Sequence, residues 1–177
     1  VTDRHGHGTH VASTIAGSGA ASDGRERGVA PGADLHIGKV LDDDGEGQDS
    51  WIIGGMEWAA RTAHAKVVSM SLGGGPSDGT DPLSAAVNRL SEETGALFVI
   101  AAGNSGPDAQ TVSSPGAADD ALTVGAVDGQ DRLAVFSSRG PRVGDEGLKP
   151  EITAPGVGIV SALANVQPTA CCDCCTH

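Results

Sequence analysis

The pattern that most constrains this chain is a strand–helix–strand unit between residues 66 and 103. "KVVSMSLGG" (66–74) is a short apolar run that ends in glycines. "DPLSAAVNRLSEETG" (81–95) follows it, with Asp81 suited to cap a helix, Pro82 to its first turn and Gly95 to its end. Leu83, Ala86, Val87 and Leu90 form an apolar stripe along that helix. "ALFVIAAG" (96–103) is continuously apolar, as expected of a strand buried on both faces.

The same alternation extends in both directions. "DLHIGKVL" (34–41) is predicted as a strand, and "SWIIGGMEWAARTAHA" (50–65) as a helix with Ile52, Met56, Ala59 and Ala63 on one face. "ALTVGAV" (121–127) and "EITAPGVGIVSAL" (151–163) are predicted as further strands. Alternating strands and helices imply an α/β fold, three-layered, with a mostly parallel sheet covered by helices on both faces. The chain of 177 residues has 27 glycines, two Trp, two Phe and no Tyr, so its core must be built from Ala, Val, Ile and Leu. In such sheets functional groups lie beyond the carboxyl ends of strands. "SLGGG" and "AAGNSG" stand there.

The net charge of −12 repels phosphate backbones and anionic lipid surfaces, so neither nucleic acid nor membrane is expected as a partner. No apolar run approaches the roughly 18 residues of a membrane span. All four cysteines fall in "CCDCC" (171–175), and the segment from Gln167 reads unlike everything before it. A cloning or frameshift product is favoured there over a zinc site, because adjacent cysteines rarely present four sulfurs tetrahedrally. Residues 1–164 are therefore taken as a partial domain and 165–177 as an atypical tail.

Three constellations carry chemistry. "DRHGHGTHVASTIAG" (3–17) holds His5, His7 and His10 within six positions. They suit a metal site, with Asp3 as a further ligand, a general base, or a structural helix entry. Asn104 in "AAGNSGP" follows a strand, where its amide could stabilise an oxyanion or simply make a turn. "SMSLGGG" (69–75) offers either an edge on which an extended peptide could pair or a glycine-rich turn.

Taken together, "HGHGTHVASTIAG", "SMSLGG", "AAGNSGP", "VGAVD", "FSSRGP" and "KPEITAPGVGIVSA" resemble, in order and spacing, the subtilisin-like serine proteases over positions 3–164. The resemblance implies a secreted endopeptidase, a monomer acting on protein or peptide substrates through a Ser-His-Asp triad. It gives His7 the role of general base and Asn104 that of oxyanion donor. Ser71, Leu72 and Gly73 match its substrate-binding strand, Ala101, Ala102 and Gly103 the opposite wall, and Gly45, Glu46 and Gly47 a second edge. His10 would pack or hydrogen-bond inside its helix. No cofactor is required. The family's calcium loop corresponds to residues 18–28, where Asp23 and Glu26 stand without an Asn, so calcium is left unassigned.

The match breaks at two places. Neither the D-[ST]-G motif of the family's aspartate nor the G-T-S of its nucleophile occurs in these residues. Ser71, Ser105, Ser137 and Ser138 lack the setting that exposes a nucleophile. The chain is thus expected to be a fragment incomplete at both ends, inactive on its own and poorly soluble. The competing expectations are a peptide-binding scaffold without a nucleophile and a His or Cys metal protein.

Overall fold

A computed structural model describes residues 1–164. The chain divides into two compact units. One holds residues 1–51 together with the segment from Gly158; the other is formed by Ile52–Val157.

The larger unit carries the sheet. Strands β1 (Val67–Met70), β2 (Leu97–Ala101), β3 (Ala121–Val127) and β4 (Ile152–Pro155) lie in sequence order and pair parallel throughout. Val67 faces Leu97, Phe98 faces Ala121, and Val124 faces Ile152. A helix joins β1 to β2, here called the crossover helix, Pro82–Thr94. Its ends obey their local chemistry: Asp81 accepts a hydrogen bond from Ser84 N, Pro82 opens the first turn, and Gly95 closes the helix at φ 70°. Leu83, Ser84, Ala86, Val87 and Leu90 are its buried residues, and it packs against β2.

Among the described residues, every buried apolar side chain except Ala164 belongs to this larger unit. Val68, Met70, Phe98, Ile100 and Ala121 alternate along the strands as the buried sheet face. On the opposite face Val67, Leu97 and Ile152 are 56%, 43% and 46% exposed, while Val99, Leu122 and Val124 are half-buried. The continuous apolar run at 96–103 is therefore buried on one face only, contrary to the expectation from its sequence.

Three further differences have physical causes. Residues 34–41 join no strand ladder, and Leu35 and Ile37 are exposed; an apolar alternation becomes a strand only where a neighbour's backbone pairs with it. The expected helix at 50–65 is α-helical over Asp49–Glu57 and continues as a π turn over Trp58–Thr62, which buries Ala60 in place of Ala59. The strand expected over 151–163 ends at Pro155, opposite Val127, where β3 also ends. No helix among the described residues is long and apolar enough to cross a membrane.

Among the described residues, the smaller unit contributes one complete α-helix, His7–Ala16, which has no fully buried residue.

Candidate active site

In the smaller unit, a single carboxylate builds the start of the histidine helix. Asp3 Oδ1 accepts from His5 N (3.0 Å) and Gly6 N (2.8 Å), and Oδ2 from Thr9 N (2.7 Å) and Thr9 Oγ1 (2.6 Å). Gly6 sits at φ 102°, a conformation that disfavours any side chain, and so the chain turns into the helix with His7 as its first residue. Partial burial disfavours the Asp3 charge, but the hydrogen bonds from Thr9, Gly6 and His5 outweigh it and hold the carboxyl at about 2. Asp3 thus serves as a cap, with both oxygens engaged.

A folded pKa below the ordinary carboxylate value means the cap is at full strength above about pH 4 and is lost as pH falls through about 2. The Thr9 amide resonance should therefore titrate in that acid window. Asp3→Asn, which keeps an acceptor but no titratable proton, should abolish that titration.

The three histidines have different surroundings. The His5 and His7 rings meet edge to face, with centroids 6.5 Å apart. His10 Nε2 lies 3.1 Å from the Ile159 carbonyl oxygen, and Ser161 Oγ donates to His10 O at 3.1 Å. His10 thus bonds outside its helix, to the segment 159–161, and not within the helix as the sequence suggested. Among the described residues, no three His, Cys, Asp or Glu side chains are grouped to hold a metal ion, so a histidine metal centre lacks a donor set. The cysteine run lies outside the described residues. In the loop at 18–28, the Ser22 hydroxyl accepts from Glu26 N and its carbonyl from Arg25 Nε; no carboxylate set for calcium is gathered there.

Gly45, Glu46 and Gly47 stand in the same unit. Gly45 has φ 86° in a turn that Asp42 closes: Asp42 N donates to Glu46 O (2.8 Å), and Glu46 N to Asp42 Oδ1 (3.0 Å). A Cβ on Gly45 would lie 3.0 Å from His5 Nε2, so only glycine lets this loop approach His5. At Gly45 the backbone is therefore a tight turn, and Glu46 and Gly47, the rest of the expected second edge, follow it directly. Lys39 and Arg4 both pair with Asp43, which offsets part of the acidity of this loop.

The larger unit holds the other candidate residues. Ser71, Leu72 and Gly73 continue directly from β1, and Ala102, Gly103 and Asn104 from β2, whose last residue is Ala101. The two segments leave the carboxyl ends of adjacent parallel strands. Both are backed by one buried residue that the sequence did not single out, Ser113. Its hydroxyl donates to Ala102 O at 3.1 Å. A Cβ would come within 2.7 Å of that hydroxyl on Gly73 and within 2.6 Å on Gly103. Two glycines thus let two backbone walls close on a single serine.

Asn104 is exposed, in a bend beyond β2. Ser138 grips the backbone on either side of it: Ser138 N donates to Gly103 O (2.9 Å), and Ser105 N donates to Ser138 Oγ (3.0 Å). The bend is fixed at its flanks while the Asn104 side chain faces solvent. Nothing local in the sequence marks Ser113, and "FSSRGP" does not reveal what Ser138 holds, because its partners lie more than thirty positions away.

Comparisons with known proteins bear on these features together. A profile of the subtilase family matches residues 1–176. The chain is 45% identical to serine protease AprX of Bacillus subtilis, aligning 90% of this chain with 39% of that protein. It is 40% identical to pyrolysin of Pyrococcus furiosus, covering 91% of this chain and 16% of that protein. The solved structure of sphericase superposes with a TM-score of 0.79 at 38% identity, over 93% of this chain and 57% of that one. The chain therefore spans well under half the length of these two sequence relatives. Its three-layer α/β class is theirs, and its parallel sheet fits that class. On the match of nearly its whole length, the chain belongs to the subtilase family.

Proposed function

We propose that these residues form the histidine-, asparagine- and substrate-binding part of a secreted serine endopeptidase acting on extended protein chains. The observation that carries this reading is the pair of walls in the larger unit. Residues 71–73 and 101–103 leave neighbouring strands and are held by the same buried Ser113. An extended peptide could pair with such backbone, and a side chain could enter between the walls.

In this mechanism His7 takes the proton from a serine hydroxyl as that oxygen attacks the peptide carbonyl, and returns it to the leaving amine. The Asn104 amide donates to the oxyanion that forms on the carbonyl oxygen. The serine and the aspartate would come from the family's G-T-S and D-[ST]-G motifs, which do not occur in these 177 residues. The relatives support a peptidase by their names, serine protease AprX and pyrolysin among them.

The reading is tested by amide hydrogen exchange with and without an extended peptide. Peptide should slow exchange in residues 71–73 and 101–103 and leave the crossover helix unchanged. Uniform exchange across the walls at saturating peptide would overturn it.

A further inference from the structure

Asp81 makes far more contacts than a helix cap needs. Capping requires only the bond from Ser84 N, which Asp81 Oδ1 accepts at 3.0 Å. The same carboxylate also accepts from three hydroxyls: Ser84 Oγ at 2.7 Å, Ser114 Oγ at 2.6 Å, and Ser77 Oγ. Ser84 belongs to the helix, but Ser77 and Ser114 stand on two other segments.

Those two segments form a short antiparallel ribbon. Gly74 N donates to Ser114 O (2.9 Å), Ser114 N to Gly75 O (3.0 Å), and Ser77 N to Val112 O (3.1 Å). Pro76 bridges Ser113 between them. Asp81 therefore holds one residue from each strand of the ribbon. Ser77 is secured further, since its hydroxyl accepts from Gly79 N at 2.9 Å. The ribbon runs straight into the proposed substrate walls: Gly74 follows Gly73, and Ser113 precedes Ser114. Any shift of Ser114 carries with it the hydroxyl on which both Gly73 and Gly103 rest.

We propose that Asp81 is a positioning residue for substrate selection, setting the spacing of the walls at 71–73 and 101–103 through Ser77 and Ser114. This inference rests on the reading of those walls as the peptide-binding surface. Partial burial opposes the Asp81 charge, but the bonds from Ser114, Ser77 and Ser84 prevail and keep its carboxyl at about 2. The brace is thus a charged acceptor throughout the neutral range. Charge-assisted hydrogen bonds of this kind are the stronger class.

The test uses two variants that cut the brace at opposite ends. Asp81→Ser keeps a good helix cap but is too short to reach Ser114. Ser114→Ala leaves the cap untouched. The probes are fluorescein-labelled Ala-Ala-Pro-Leu and Ala-Ala-Pro-Gly amides, read by anisotropy, with amide exchange followed in parallel. Each variant should weaken the Leu peptide about tenfold, the scale of one or two lost hydrogen bonds. Binding of the Gly peptide, with no side chain to seat, should change less than about twofold. The double variant should be no weaker than the worse single one, because both remove one linkage. Exchange at the Gly74 and Ser114 amides should rise while the crossover helix stays protected.

Equal losses for both peptides, together with exposure of the helix amides, would reduce Asp81 to an ordinary cap and overturn the proposal. So would unchanged Leu-peptide affinity with unchanged exchange. If the parent protein binds neither peptide, the peptide-binding reading falls and selection falls with it. Raised exchange at Gly74 and Ser114 would then still separate that failure from the absence of the brace.

Discussion

In a protease that joins these residues to the family's serine and aspartate motifs, replacing His7 with alanine should lower kcat by on the order of 10⁶-fold, the size of loss measured for the histidine of a subtilisin, a relative of this chain. KM should change little, because the role proposed for His7 is proton transfer and not holding the peptide. Among the described residues, the two neighbouring imidazoles of this helix entry are otherwise engaged. His10 is committed to the Ile159 carbonyl, and His5 lies against the Gly45 turn. The position of His7 as the first residue of its helix is set by Gly6 at φ 102° and by the four bonds to Asp3. A histidine so placed is fixed in its backbone while its ring stays at the helix entry. Initial rates across a range of peptide concentrations check the split between kcat and KM.

Asn104→Ala should cost on the order of 10²–10³ in kcat, again the effect known for the equivalent donor in a subtilisin. The reason lies in how the bend is held. Ser138 bonds to Gly103 O and to Ser105 N, so the backbone on both sides of Asn104 keeps its place when the side chain is shortened. What is lost is one donor aimed at charge that exists only in the transition state. KM should again move little, and the fold should not move at all. A thermal melt that matches the parent protein, beside steady-state rates reduced as stated, is the expected pair of results. A comparable rise in KM would mean that Asn104 binds the substrate in its ground state instead.

How legible these features were depended on the range of the interactions behind them. The crossover helix could be read almost residue by residue, because Asp81, Pro82 and Gly95 act on their own neighbours and the stripe from Leu83 to Leu90 has helical spacing. Strand β3 matched its apolar run over Ala121–Val127 because it has a partner on each side. The run at 34–41 has a comparable pattern yet no partner in the described residues, and a pattern without a partner does not make a strand. The π turn at Trp58–Thr62 changes which alanine is buried, and periodicity cannot foresee an inserted residue. The roles expected of His7 and Asn104 rest on motifs, and the structure shows where each stands: at the entry of its helix and in the bend beyond β2. Ser113, Ser138 and the reach of Asp81 to Ser114 were not legible, since each depends on chain segments brought together by the sheet. The approach of Gly45 to His5 is of the same kind, since the two stand forty positions apart.

If His7 serves as base to a serine of a G-T-S motif, which these 177 residues do not contain, covalent labelling reveals that serine. A protease joining these residues to the family's serine and aspartate motifs is treated with a sulfonyl fluoride, digested, and the modified residue located by mass spectrometry. One sulfonylated serine is expected, in a G-T-S sequence, and its formation should be strongly slowed in the His7→Ala variant. Modification at Ser71, Ser105, Ser137 or Ser138, or labelling at an equal rate without His7, would contradict the role proposed for His7.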